Sequence, residues 1–144
     1  MKQAAALPGE QTPFWTSYSN TATRVILWPD AIEALPQEIA AIGCKKLLVL
    51  CGVSTSKSKL YERVRGILGD LVVESVENVA AHTPASMVME TAKLARENGC
   101  DGVVAVGGGS ASDAAKGVAI VLAEDGDISE HAARFVPPDQ FFPK

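Results

Sequence analysis

The 144-residue sequence is poor in the side chains that many binding and catalytic chemistries require. Its two histidines, His82 and His131, lie far apart. Neither has another histidine, a cysteine or a paired carboxylate at ligand spacing, so no metal site is read from the sequence. The cysteines Cys44, Cys51 and Cys100 are odd in number, lack C-x-x-C spacing and sit in or beside apolar runs. That argues against a disulfide framework and fits reduced thiols in the core of a cytoplasmic protein. Thirteen Lys and Arg against 17 Asp and Glu give a net charge of -4. The cations are scattered, so no basic face exists for a nucleic-acid backbone. No apolar run approaches the roughly 18 residues that a membrane helix needs, and the start "MKQAAALPGEQTPFW" is interrupted by Pro8 and Glu10. A soluble chain with no nucleic-acid or membrane partner is expected. Internal repeats and low-complexity tracts are also lacking.

What remains is material for one globular domain with a substantial core, since 47% of the residues are hydrophobic. The periodicity alternates along the chain. "PFWTSYS" and "TATRVILWP" read as an N-terminal β-hairpin, whose Trp15, Tyr18 and Trp28 pack the ribbon or form a homodimer contact. Asp30 is placed to cap a helix through "AIEALPQEIAAIG", which restarts at Pro36 and stops at Gly43. "KKLLVLCG" is a buried strand, followed by a polar loop and the helical spacing of Leu60, Val64, Ile67 and Leu68. "LVVESVENV" is a second strand, 84–99 a helix and "GVVAV" a third strand. This order predicts an α/β fold: a mainly parallel sheet, helices on both faces and the hairpin at its N-terminus. Ligands of such sheets bind outside the carboxyl ends of the strands.

One of those ends is "VVAVGGGSASDAAKG", 103–117. A helix starting near Ala111 directs unpaired N–H groups and its positive dipole end into the loop. Gly107, Gly108 and Gly109 leave the backbone bare enough for a diphosphate to reach them. Ser110 offers a hydroxyl, and Lys116 a charge if it reaches back. A structural account competes with this one. Ser110 and Asp113 form an S-x-x-D capping box, one glycine could serve the turn, and Ala111, Ala114 and Ala115 would let the helix lie close to the sheet. Capping, however, does not call for three consecutive glycines, so phosphate or dinucleotide binding is the preferred reading.

Neither G-x-G-x-x-G nor G-x-x-x-x-G-K-[ST] can be read from the triplet. The stretch "VVAVGGGSASDAAKGVA" instead resembles the G-G-G-S-x-x-D-x-A-K element of the iron-containing (group III) alcohol dehydrogenases, which share a dehydroquinate-synthase-like fold. Thr83-Pro84 and Cys100-Asp101 match further family elements, and the resemblance spans most of 21–123. "AAHTP" is similar to maleylacetate reductases, while Asp113 is more like the general alcohol dehydrogenases. The resemblance implies that Gly108, Gly109 and Ser110 hold the pyrophosphate of NAD or NADP, flanked by Asp113 and Lys116. It also implies hydride transfer between the nicotinamide and a carbonyl or alcohol carbon of a small-molecule substrate. Gly107, Gly52, Ser54, Thr83 and Pro84 complete the expected cofactor site, and His82, at the end of the second strand, is a candidate substrate contact. No catalytic residue is named.

Two departures from the family pattern carry expectations. Many members place Asp after the first strand to meet the adenosine ribose, where this chain has Gly52, then Ser54, Thr55, Ser56 and Lys57. Without that carboxylate, NADPH is expected to bind at least comparably to NADH. The family's helical second half supplies one aspartate and three histidines to a divalent metal, iron or zinc, and this sequence reaches "PPDQFFPK" near where the connection would start. The metal is therefore expected only with a C-terminal domain outside this chain, and the chain alone is expected to be catalytically incomplete. The corresponding organisation is a flexible N-terminus over 1–12, a dinucleotide-binding α/β domain over 13–136 and a linker over 137–144. Glu124, Asp125, Asp127 and Glu130 read as a solvated turn, with His131 in a helix capped by Asp127. Two alternatives differ in class: a GHMP-type small-molecule kinase, whose loops also contain G-G-G-S-S-D-A-A, and a non-catalytic nucleotide-binding module.

Overall fold

A computed structural model of the chain describes residues 23–131. Three parallel strands, β1 (Leu47–Cys51), β2 (Val72–Val76) and β3 (Gly102–Val106), form a sheet in the order β2-β1-β3. Helices α1 (Leu35–Ile42), α2 (Val53–Ser56), α3 (Lys59–Leu68), α4 (Ala85–Glu97), α5 (Gly109–Glu124) and α6 (Ile128–His131) connect and cover it. The expected hairpin's first arm and turn, with Trp15 and Tyr18, lie outside the described residues, as do 132–144. Residues 23–27 carry no strand.

All five residues of β1 are buried, which is why "LLVLC" is a continuous apolar run rather than an alternating one. The alternation is still there, expressed as two faces. Leu48 and Leu50 pack with Val88, Ala92, Ala114 and Val118 of α4 and α5. Leu47, Val49 and Cys51 pack with Ile39, Tyr61, Val64 and Leu68 of α1 and α3. Each fully buried leucine contributes roughly 1.5–3 kcal/mol. A valine at 88 meets a glycine at 117, where a Cβ would lie 3.0 Å from Val88 Cγ1, so α4 and α5 cross closely.

The helix ends follow their sequences in most places. Gly43, at φ 80°, closes α1, with its N–H donating to the carbonyls of Ala40 and Ile39. Ser58 caps α3, its hydroxyl accepting the Tyr61 N–H at 3.2 Å. Asp30 departs from expectation: it sits at φ 61° without a side-chain cap bond, and its carboxylate pairs with Arg63 at 2.7 Å instead. The expected polar loop after β1 contains a single helical turn, α2, begun by Gly52, whose carbonyl accepts the Ser56 N–H at 3.0 Å.

The opening of α5 also differs. The helix starts at Gly109, two residues before Ala111, because the extended residue that precedes it is Gly108 (φ -93°, ψ -155°). Ser110 is therefore already helical, and α5 has no side-chain cap bond, so the Ser110–Asp113 capping box does not form.

Candidate functional site

Cys51 and Val106 are register partners at the carboxyl ends of β1 and β3, so the chain leaves the sheet at two adjacent points, Gly52 and Gly107. Between them lies a cavity of about 150 Å³. Residues 107–111 form one wall, and Gly52, Thr55 and Val79 the other. Val79 is held there by its N–H, which donates to the Cys51 carbonyl at 3.1 Å.

The three glycines have different reasons for being glycine. Gly107 has φ 139°, a conformation that L side chains rarely adopt, and a Cβ there would also sit 3.5 Å from Thr55 Oγ1. Gly108 and Gly109 have ordinary backbone angles, and among the described residues a Cβ on either would meet nothing within 4 Å. Neither their conformation nor packing among the described residues requires those two glycines. What they leave free is the approach to the amino end of a 16-residue helix whose first-turn N–H groups have no side-chain acceptor. The arrangement is suited to an anion: bare backbone donors, the positive end of a helix dipole and a small adjoining cavity. Among the described residues no carboxylate or cation lines this cavity.

Ser110 is shared with a second cavity, of about 470 Å³, bordered by His82, Thr83, Asp113 and Ser129. His82 is exposed and sits at φ 55°, a strained angle for a residue with a side chain, though one to which histidine is comparatively tolerant. Thr83 donates its hydroxyl to the Ser110 carbonyl at 3.1 Å. Pro84 is the residue from which α4 starts. Lys116 does not turn back to the loop: its Nζ lies 3.2 Å from Asp113 Oδ1, with both side chains about 70% exposed. Such a pair adds little stability. Ser54 is exposed, and the wall facing the glycines is supplied by Thr55, one residue further along α2.

Val79 carries no sequence signal for the site, and Thr55 was legible only as one of the polar run 54–57 expected near the ribose. Thr55 faces the loop because α2 is helical, and a four-residue turn gives no periodic signal. Behind this wall, Tyr61 donates its hydroxyl to Glu77 at 2.7 Å. Burial and that bond push the tyrosine pKa up to about 12. Burial likewise raises the Cys51 thiol, so the sulfur beside the site stays protonated. All three cysteines are free.

Near the end of the described chain, Asp127 Oδ1 accepts the Ser129 N–H at 2.8 Å, and Asp125 pairs with Arg96 at 2.6 Å. His131 is exposed on α6. Among the described residues no group of three or more His, Cys, Asp or Glu side chains could hold a metal ion. Residues 23–131 therefore do not fit an iron or zinc centre. No helix among them is long and apolar enough to cross a membrane.

The model of the iron-containing alcohol dehydrogenase family matches residues 22–141. Maleylacetate reductase 2 of Cupriavidus pinatubonensis is 34% identical over 113 residues, which are 78% of this chain and 28% of that protein. The NADH-dependent butanol dehydrogenase B of Clostridium acetobutylicum is 34% identical over 107 residues, covering 73% of this chain and 27% of the relative. Among solved structures, the NADH-dependent butanol dehydrogenase A of Thermotoga maritima superposes with a TM-score of 0.70 at 29% identity, over 80% of this chain and 30% of that one. The chain thus spans little more than a quarter of the length of the curated relatives it matches. These matches give the small-molecule kinase reading no support, and the chain belongs to the iron-containing alcohol dehydrogenase family.

Proposed function

We propose that this chain holds NAD or NADP for an alcohol dehydrogenase or reductase of the family, with the pyrophosphate on the first turn of α5. The observation that carries the reading is the pair Gly108 and Gly109, which lack a side chain for no reason found among the described residues. An approaching diphosphate supplies the reason. Its oxygens would accept the N–H groups of Gly109 and Ser110, with the Ser110 hydroxyl as a further donor.

The cofactor would extend from the loop into the two cavities that meet at Ser110. On the Gly52 side, no carboxylate among the described residues opposes a 2′-phosphate, and Thr55 would offer a neutral hydroxyl to the ribose. On the other side, His82 and Asp113 border the space for the remaining half of the cofactor or for substrate. The bound nicotinamide would supply hydride chemistry; residues 107–111 would hold the pyrophosphate and so orient the cofactor. The same site makes dinucleotide binding the property expected of this chain, and among the described residues no metal-ligand group accompanies it.

Titration of NADH and NADPH into wild-type and Gly109→Val protein tests the reading. The branched side chain should reduce the affinity for both more than a hundredfold, about 2.8 kcal/mol, in a protein that remains folded. Unchanged affinity in folded Gly109→Val would end the proposal.

A further inference from the structure

A loop with three glycines has many conformations to lose on binding, and α5 has no side-chain cap to hold its first turn. Something outside the loop has to keep it in an anion-accepting shape if binding is to be strong. The 77–84 segment supplies a contact at the right place. Thr83 lies 27 residues from Ser110 in sequence, and its Oγ1 donates to the Ser110 carbonyl at 3.1 Å. A second acceptor, the Ala80 carbonyl, is more distant at 3.4 Å. One hydroxyl proton serves one strong bond, and the shorter contact is the one to α5.

The donor is itself tightly placed. Pro84 restricts the backbone of Thr83 to extended conformations, and His82 on the other side is already turned to φ 55°. Thr83 is β-branched, so its side chain has few rotamers. The bond thus ties a sterically restricted segment to the second residue of a helix that is preceded by glycines, which restrict the backbone least. Val88 and Gly117 keep α4 and α5 in close contact about two turns further along α5, so the two helices cannot drift apart without breaking core packing.

We infer that Thr83 is a positioning residue: through its hydrogen bond to the Ser110 carbonyl it holds the first turn of α5, and with it the Gly107–Gly109 loop, in the shape that receives the cofactor's pyrophosphate. Its hydroxyl is committed to the protein, so its effect on the cofactor is exerted through the loop. The inference rests on the dinucleotide reading above for its consequence, but its physical core is a property of the ligand-free protein.

The test uses Thr83→Val, which keeps the branched shape and removes the donor, and Thr83→Ser, which keeps the donor. In ligand-free protein, amide hydrogen exchange at Gly108 to Ser112 should speed up about tenfold in Thr83→Val while the β1 amides keep their wild-type rates. Thr83→Ser should exchange as wild type does. Affinity for NADH and NADPH should fall by the same factor, about tenfold, in Thr83→Val and recover in Thr83→Ser. Wild-type loop exchange in Thr83→Val would overturn the inference, whatever the cofactor does. If Thr83→Val does not fold, Thr83→Ser decides: loosened loop amides despite the retained hydroxyl would likewise overturn it. Faster loop exchange without any dinucleotide binding by the wild type would leave the positioning contact standing and remove the cofactor reading instead.

Discussion

The two ends of β3 are built on glycine for opposite reasons. At the amino end, a Cβ on Gly102 would lie 2.8 Å from both Cys44 Sγ and Leu47 Cδ2, so the side chain is absent because the protein fills its place. The same corner is saturated with hydrogen bonds. Asp101 accepts the Lys45 N–H at 2.9 Å and the Lys46 N–H at 2.8 Å, and the N–H groups of Asp101 and Gly102 both donate to the Lys46 carbonyl. At the carboxyl end, a Cβ on Gly108 or Gly109 would meet nothing within 4 Å among the described residues, and the helix that follows has no side-chain cap. One end is complete in itself. The other has space that no described residue fills, which is the place the proposed reading gives to the pyrophosphate.

The largest expected effects break this comparison directly, through one substitution at each end. Gly102→Val should cost about 1–3 kcal/mol of stability by overpacking against Leu47, read from urea unfolding, with cofactor affinity of the folded fraction unchanged. Gly109→Val should do the reverse, losing binding more than a hundredfold, about 2.8 kcal/mol, with little change in unfolding midpoint. If both variants lost stability alike, the two ends would not differ in kind.

A smaller effect is expected at Gly52, which faces the same cavity from β1. Its backbone angle is ordinary (φ -83°) and a Cβ would make only a 3.5 Å contact with the Val79 carbonyl, so Asp can be accommodated there. Wild-type protein should bind NADH and NADPH within tenfold of each other. Gly52→Asp should weaken NADPH relative to NADH by about tenfold, or 1.4 kcal/mol, through repulsion of the 2′-phosphate. A wild type that already excludes NADPH would show that another group reads the ribose.

The parallel sheet, the order of helices and strands along the chain and the position of the glycine loop were legible because each rests on a local pattern: the apolar run 47–51, the 3.6-residue spacing of α3, and the strand-to-helix step at 106–109. Less was legible where the outcome depended on distant groups. The S-x-x-D match at Ser110 suggested a cap, but the first extended residue fell at Gly108, and nothing in the four-residue pattern registers that shift. Asp30 suggested a cap and found Arg63 across the fold. Thr83 was legible as part of a turn near the ligand; its bond to Ser110 is a tertiary contact with no sequence signature. Lys116 had the reach to serve the loop, yet Asp113, three residues away on the same helix, pairs with it.

At the amino end, the Asp101 carboxyl is held below the usual carboxylate range, first by the Lys46 N–H and then by the Lys45 N–H. A depressed folded-state pKa contributes stability that is present above the unfolded value of about 3.9 and is lost as pH falls through the lower folded value. Unfolding midpoints measured from pH 5 downward should therefore fall more steeply for wild type than for Asp101→Asn. Parallel curves would mean that the carboxylate does not clamp this corner. The smallest effect is expected for Ser110→Ala. Because Ser110 caps nothing, its removal should change stability by less than about 0.5 kcal/mol and cofactor affinity by a few-fold, the reverse of the pattern expected from a lost cap.

The central claim, that the two ends of β3 differ because one awaits a pyrophosphate, is tested most directly by following backbone amide resonances as NADH is added to uniformly ¹⁵N-labelled protein. The account predicts that the amides of Gly108, Gly109 and Ser110 shift with saturable dependence on NADH, that inorganic pyrophosphate moves the same three, and that those of Lys46, Asp101 and Gly102 stay in place. Saturable binding that leaves the Gly108–Ser110 amides unmoved would contradict it.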